Sequence, residues 1–291
     1  MPSETSIERA EALIEALPYI QKYRGHTFVI KYGGSAMDDE DNVERLLRDI
    51  VFLEAVGINP VLIHGGGKTI TDRMREVGLK ARFVNGLRVT DEQSIAIVED
   101  VLDNDIRPSI AAKIEEFGGK AQGISGKTVF VAEKCAPQHE GKVDVDLGFV
   151  GEVTTTNIDE VLRVVGREVV PVISPIALGA DGIVLNVNAD IAAGALAGAL
   201  AATKLIYLSD VPGIMRDPKQ KDSLIPTVTR ESVNTLIKEE IIEGGMIPKV
   251  NSALAALDKG VSKVHFIDGR VPHALLLEVF TASGIGTEIL P

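Results

Sequence analysis

Two strand-like runs end in glycine clusters that lay backbone bare: Phe28-Val29-Ile30-Lys31-Tyr32-Gly33-Gly34 and a second run closing on His64-Gly65-Gly66-Gly67. Without a Cβ the chain can turn sharply and bring its N–H groups against an anion, and a following helix adds the positive end of its dipole. Lys31, beside the first turn, supplies a point charge for phosphate oxygens. A single cluster reads equally well as a tight strand-to-helix turn. Two clusters with a strand-end lysine favour a floor for phosphates.

That floor follows neither familiar nucleotide motif. Gly67-Lys68-Thr69 mimics the end of a P-loop, but the motif needs a glycine where Leu62 stands. G-x-G-x-x-G spacing is absent from the chain, which argues against a dinucleotide-dependent oxidoreductase.

Composition narrows the partners. A chain of 291 residues with 45% hydrophobic content can bury one large core or two linked ones, and two lobes are expected. A formal charge of −12 and the absence of Trp argue against a nucleic-acid surface, so any anionic ligand must be held by local positive groups. Cys135 is the one cysteine; it excludes an internal disulfide, makes a cysteine metal site implausible and fits a reducing cytoplasm. In its apolar stretch it reads as packing. Met1-Pro2-Ser3-Glu4-Thr5 lacks the basic-then-apolar order of a signal peptide. The most apolar long run, Ile191 to Thr203, is short of the roughly 18 residues of a membrane span and reads as a buried Ala/Gly-rich helix.

The elements that must position these residues follow from periodicity. Ile7, Ala10, Leu13, Ile14 and Leu17 recur at helical spacing after a Thr5/Glu8 capping-box pattern, which predicts an amphipathic N-terminal helix. It packs either on its own domain or on another subunit. Beyond it, β-branched runs near Val29, Val61-Leu62-Ile63, Val129-Phe130-Val131, Val169 to Ile173, Leu205 to Leu208 and Val264 to Ile267 alternate with helix-length segments. Alternation of this kind predicts an α/β fold, a three-layer αβα sandwich around a mainly parallel sheet. Ligands in such sheets gather beyond the carboxyl ends of strands, where both glycine clusters and Ser209-Asp210 fall. No solenoid repeat or low-complexity linker divides the chain, and the lobe boundary is placed near Gly179 to Asn188.

Six segments in order, Ile30 to Gly34, His64 to Gly67, Asn85-Gly86-Leu87-Arg88-Val89-Thr90, Asn186-Val187-Asn188-Ala189-Asp190, Leu208 to Gly213 and Gly245-Met246-Ile247-Pro248-Lys249-Val250, resemble the motif series of the amino-acid kinase family. The Asn-Gly-Leu-Arg-Val-Thr element is much more specific than the others, and resembles the branch that acts on N-acetyl-L-glutamate. The resemblance implies transfer of the γ-phosphoryl group of ATP to the side-chain carboxylate of that acid, a step of arginine biosynthesis. A carboxylate with a pKa of about 4.3 is already ionised at neutral pH, so the nucleophile needs no general base. The difficulty is electrostatic: an anion must approach a polyanion.

By motif position, Lys31 and Lys249 resemble the lysines that stabilise the migrating phosphoryl group from the acid side and the nucleotide side. Asp190 resembles the aspartate that orients both, a role compatible with capping the Ala-rich helix. Gly66, Gly67, Arg88 and Asn186 are implied as substrate contacts, Arg88 because a planar guanidinium clamps a carboxylate bidentately. Gly33, Gly34, Ser209, Asp210 and Gly213 are implied on the nucleotide side. Magnesium is expected to arrive on ATP, with no protein metal ligand.

The N-terminal helix together with His265 to Arg270, His273, Glu278 and Gly284 to Thr287 further resembles the arginine-inhibited branch, whose extra helix interlaces dimers into a hexameric ring. That implies L-arginine as inhibitor, with Lys204, Glu278 and Gly284 as effector contacts, and leaves room for a nitrogen-signalling protein partner. The implied division is 1–24 for oligomerisation, 25–183 as the acid lobe and 184–291 as the nucleotide lobe. One stretch departs from the family: Asp103-Asn104-Asp105-Ile106-Arg107-Pro108 stands where many relatives carry Val-Asn-Lys, outside the catalytic motifs.

Two competing readings bracket this one. A relative acting on aspartate, glutamate or carbamate is separated by the setting of Arg88. A non-catalytic sensor is opposed by the joint retention of Lys31, Asp190 and Lys249, which a binding module does not need.

Overall fold

The computed structural model describes residues 4–37, 39–141 and 143–291. Its main sheet has eight strands: β1 (Thr27–Tyr32), β2 (Asn59–His64), β3 (Ala121–Ile124), β4 (Val170–Ile173), β5 (Lys204–Ser209), β6 (Thr227–Thr229), β7 (Lys263–Asp268) and β8 (Thr287–Leu290). Their order is β6-β8-β7-β5-β1-β2-β4-β3, and every neighbouring pair is parallel except β7 with β8. β1 lies at the centre, with Lys31 level with Ile63 of β2 and Tyr207 of β5.

Successive strand residues face opposite sides of a sheet, and here the two sides feed separate cores. Phe28, Ile30 and Tyr32 pack with Leu47, Ile50 and Leu53 of the helix Glu40–Ala55. Val29, on the other face with Leu205 and Tyr207, packs with Ala192, Ala193 and Leu196 of the helix Ala189–Ala199. Strands buried on both faces between helices form the three-layer αβα arrangement expected from the alternation.

The Val129-Phe130-Val131 run does not join this sheet. Gly126–Val129 forms one helical turn, and Phe130–Lys134 enters a closed four-stranded barrel with Val150–Thr156, Ile176–Gly179 and Val184–Val187. Apolar runs report burial; they do not report which sheet completes them. The proposed boundary at Gly179 to Asn188 runs through the antiparallel pair that closes this barrel, while the main sheet continues across both sides of it.

The N-terminal helix spans Glu4–Tyr23 and carries Pro18 inside. Its far end is anchored by the buried Tyr23, edge-on to Phe28 at 5.2 Å. The rest of its apolar face is open to solvent, Leu13 and Ile14 being 65% and 67% exposed, with Ile7 and Leu17 also exposed. The side chain of Thr5, invoked for the capping box, lies outside the described residues. Among the described residues no helix is long and apolar enough to cross a membrane.

Gly126 marks where the barrel meets the sheet. Its N–H donates to Ser174 Oγ at 3.0 Å, and an added Cβ would sit 2.2 Å from the carbonyl oxygens of both Ser174 and Ile176. Backbone on two sides cannot yield to it. We expect Gly126→Ala to destabilise the fold by about 1–3 kcal/mol or more, read as a lower urea midpoint at unchanged slope.

Candidate active site

Three elements bring the charged residues of the sequence motifs together. Lys31 falls near the end of β1 on the same face as Val29, which is the face covered by the helix Ala189–Ala199. Asp190 lies in the first turn of that helix, and Lys249 in the first turn of the neighbouring helix Met246–Asp258. The two helices approach closely because Gly194 has no side chain: a Cβ there would meet Ser252 Oγ at 2.3 Å. Lys31 Nζ consequently stands 2.9 Å from Asp190 Oδ1, and Lys249 Nζ donates to Asp190 Oδ2 at 2.6 Å.

The cap of the Ala-rich helix is Asn188, not Asp190. Asn188 Oδ1 accepts from the N–H groups of Asp190 and Ile191 at 2.8 and 3.3 Å. The Asp190 carboxylate is thereby left to the lysines. Its backbone is held as well, since Ser252 Oγ donates to the Asp190 carbonyl at 2.8 Å and Tyr207 Oη donates to Ser252 Oγ at 2.9 Å. Neither Tyr207 nor Ser252 carries a motif signal. Asn188 does carry one, as a helix-capping residue just ahead of the Ala-rich run.

Burial works against the charges of Lys31 and Asp190. It would raise the Asp190 carboxyl, but Lys31 and Lys249 hold it below the usual carboxylate range. Burial lowers Lys31 from the ordinary lysine value, aided by the like charge of Lys249 and opposed by Asp190. Two ammonium groups around one carboxylate leave a surplus of positive charge, which is what a transferring phosphoryl group requires.

A cavity of about 180 Å³ opens beside the cluster, lined by Lys31, Gly65 to Gly67, Arg88, Asn186 and Asp190 among others. Gly33 and Gly65 make close backbone approach possible: a Cβ on Gly33 would lie 2.9 Å from Lys31 Nζ, and one on Gly65 would lie 3.2 Å from Gly33 Cα. The helix Gly67–Glu76 starts at this point, so its N-terminal N–H groups also face the cavity. His64 does not act as a base. Fully buried and pushed down to about 4 by desolvation, it is neutral, and its Nδ1–H donates to the Gly65 carbonyl at 2.9 Å.

Arg88 is buried, and burial lowers its pKa. Nη2 donates to the Gly67 carbonyl at 2.7 Å and to Thr71 Oγ1 at 2.8 Å, and the guanidinium carbon stands 4.6 Å from the centre of the Phe83 ring. Its partners among the described residues include no carboxylate. Asn186 donates through Nδ2 to Thr90 Oγ1 at 3.1 Å, which leaves its amide oxygen as an acceptor.

The remaining motif residues divide. Gly34 lines the cavity, whereas Gly33, Ser209, Asp210 and Gly213 do not. Asp210 is exposed after β5 and adds a favourable charge for Lys31. Gly213 packs on the β8 strand, where a Cβ would meet Thr287 Oγ1 at 2.5 Å. Lys204 and Glu278, both buried, and the half-buried Gly284 form a second group at the opposite end of β5, about 16 Å along the strand from Ser209. There the Lys204 ammonium donates to His265 Nε2 at 2.8 Å, and His265 Nδ1–H donates to Glu278 Oε1 at 2.6 Å. Glu278 Oε2 accepts from the N–H groups of Ile285 and Gly286, and Gly284 adopts φ +61° against it. Burial pushes Lys204 down to about 8.

The departing stretch is not remote from the site. It continues the π-helical turn Asp100–Ile106, whose Leu102 lines the cavity, and a Cβ on Gly66 would meet Leu102 Cδ2 at 2.7 Å and Ile106 Cδ1 at 2.8 Å. Distance from the motifs along the sequence concealed that contact.

Among known proteins, the acetylglutamate kinase of Akkermansia muciniphila is 52% identical over 286 residues, covering 98% of this chain and 96% of the relative. The structure of Neisseria gonorrhoeae N-acetylglutamate synthase complexed with coenzyme A and N-acetyl-glutamate matches with a TM-score of 0.84 at 27% identity, over 97% of this chain and 63% of that one. The same synthase complexed with coenzyme A and L-arginine matches with a TM-score of 0.79 at 27% identity, over 97% and 65%. This chain therefore spans less than two thirds of the synthase. A model of the amino acid kinase family matches residues 26–268. With that match across most of its length, the chain belongs to the amino acid kinase family.

Proposed function

We propose that this enzyme transfers the γ-phosphoryl group of ATP to the side-chain carboxylate of N-acetyl-L-glutamate, giving N-acetyl-L-glutamyl 5-phosphate for arginine biosynthesis. A carboxylate oxygen forms the new P–O bond, the bond to the β-phosphate oxygen breaks, and ADP leaves with the electron pair. No proton moves in this step. One observation carries the reading: a single buried carboxylate, Asp190, ties together ammonium groups from β1 and from the helix Met246–Asp258, beside a buried guanidinium without an acidic partner among the described residues.

In this reading Lys31 and Lys249 neutralise the migrating group, and Asp190 keeps both aimed at it. Arg88 clamps the α-carboxylate, Asn186 meets the acetamido group, and the amides of Gly66 and Gly67 receive the carboxylate and phosphoryl oxygens. Gly33, Gly34, Ser209, Asp210 and Gly213 belong to the nucleotide side. Magnesium enters on the nucleotide, held by phosphate oxygens and water. Residues 25–183 serve mainly the acid and 184–291 mainly the nucleotide, although Asn186 and Asp190 reach into the acid cavity from the later half. ATP dependence and the lone cysteine fit work in the cytoplasm.

The same proposal extends to control by L-arginine at the Lys204, Glu278 and Gly284 group. It is supported by the arginine complex of the Neisseria synthase. The exposed apolar face of the helix Glu4–Tyr23 supports its use between subunits, in a hexamer built as a trimer of dimers. Tyr23, at the end of that helix, has its ring centre 5.3 Å from Lys204 Nζ, so oligomer contact and effector group share a boundary.

With N-acetyl-L-glutamate, ATP and magnesium, acid-dependent ADP release is expected, and free glutamate should be a poor substrate; preference for free glutamate would refute the substrate assignment. Lys31→Ala and Lys249→Ala should each lower kcat by about 10²–10³-fold, the scale for losing one transition-state donor. Near-normal turnover in either would exclude the phosphoryl role. Arg88→Lys should raise KM for the acid by about 10–100-fold while leaving KM for ATP in place, since a charge-assisted hydrogen bond is worth about 1.5–3 kcal/mol. Removal of the first twenty or so residues is expected to reduce a hexamer to dimers and to weaken inhibition by arginine, measurable by sedimentation and steady-state rates. An unchanged sedimentation coefficient would rule out the interlaced helix.

A further inference from the structure

The cavity of the candidate active site has a charged end at Lys31, Arg88 and Asp190, and an apolar wall that includes Leu102 and Pro175. These two wall residues come from different elements. Leu102 sits on the π-helical turn Asp100–Ile106, and Pro175 follows β4. Their sequence neighbours, Asp103 and Ser174, are joined directly: Ser174 Oγ donates to Asp103 Oδ1 at 2.5 Å. The other Asp103 oxygen accepts from Ser125 Oγ, just after β3, at 2.7 Å.

Asp103 is buried, and its charge is matched by Arg107 Nε at 3.4 Å and Lys127 Nζ at 3.7 Å. Arg107 Nη2 also donates to the Asp103 carbonyl at 2.9 Å, which pins the turn itself. Ser174 has no freedom left, because its hydroxyl accepts from Gly126 N–H while donating to Asp103. One carboxylate thus fixes the ends of β3 and β4 and a turn with i→i+5 hydrogen bonding, a conformation that is rare and concentrated at functional sites.

We propose that Asp103 is a positioning residue for the acid substrate: by bonding Ser174 and Ser125 it sets the separation of Leu102 and Pro175, and so the width of the wall that receives the acyl group. This rests on the assignment of N-acetyl-L-glutamate above. The acyl methyl is the one apolar tip of that substrate, and the apolar wall is the matching part of the cavity. The partners of Asp103 among the described residues include neither Lys31 nor Lys249, so its influence is expected on the acid rather than on the phosphoryl end.

The test uses the full-length enzyme, with each substrate varied at saturating levels of the other. Parent turnover is measured first; a parent inactive with N-acetyl-L-glutamate overturns the substrate assignment and this inference with it. Given an active parent, Asp103→Ala and Ser174→Ala should each raise KM for N-acetyl-L-glutamate by about 10-fold or more, with KM for ATP within about twofold. Their discrimination against N-propionyl-L-glutamate should fall, one methylene in a pocket being worth about 10-fold or more. The double variant should show less than the product of the two single effects. Asp103→Asn should recover much of the loss, because its oxygen can still accept from Ser174 while its amide donates to Ser125. An unchanged acid KM and unchanged acyl discrimination in Ser174→Ala, whatever its melting temperature, would overturn the proposal. So would an equal rise in both KM values. Should Asp103→Ala fail to fold, Ser174→Ala and Asp103→Asn decide the question.

Discussion

The bridge from Lys31 through Asp190 to Lys249 is the constraint around which the rest is arranged. Two ammonium groups that share one carboxylate repel each other, and burial adds a desolvation penalty for Lys31. A carboxylate between them relieves both costs, provided that it cannot turn away. The hold on the Asp190 backbone by Ser252 and Asn188 meets that condition. The charges are thus preorganised by groups that do not themselves take part in the chemistry, so little reorganisation is left for the moment of transfer.

That arrangement dictates unusual packing. A helix made mostly of Ala and Gly contributes little side-chain volume, yet it is the one that delivers Asp190 to the end of β1. Small residues let it lie close to both the sheet and the helix Met246–Asp258, and Gly194 marks the tightest point. Larger side chains there would bury more apolar surface, but they would separate the first turns that carry Asp190 and Lys249. Here the demands of the site take precedence over bulk in the core.

Much of this was legible in the sequence because it is local. The alternation of β-branched runs with amphipathic segments located five of the eight main-sheet strands, and the glycine clusters stood at strand ends as the topology requires. What escaped was set by long-range pairing. Ala121–Ile124, Thr227–Thr229 and Thr287–Leu290 are short and mixed in composition, so only their neighbours make them strands. The Phe130–Lys134 run has a strong strand pattern, but its pattern is silent on whether a parallel sheet or a small barrel completes it. Tyr207 and Ser252 look like core and helix-surface residues until the fold places them against Asp190. Asp103 was visible as a departure, and its Ser125 and Ser174 partners, 22 and 71 residues away, were not.

Charge accounting separates the parts of the molecule that await a ligand from those that hold shape. Around Asp103 the carboxylate accepts two hydroxyl donors and has two cationic neighbours, so the group is closed and gains nothing from a further ion. Around Asp190 one carboxylate is paired with two ammonium groups, and Arg88 is buried among a carbonyl, a hydroxyl, a thioether and an aromatic face, with no anion beside it among the described residues. Holding a guanidinium in that state is unfavourable for the free protein. A carboxylate bound there would offset that cost, and an analogue without the charge would leave it in place. The Lys204, His265 and Glu278 group is an intermediate case, closed by a relay of hydrogen bonds through a neutral histidine.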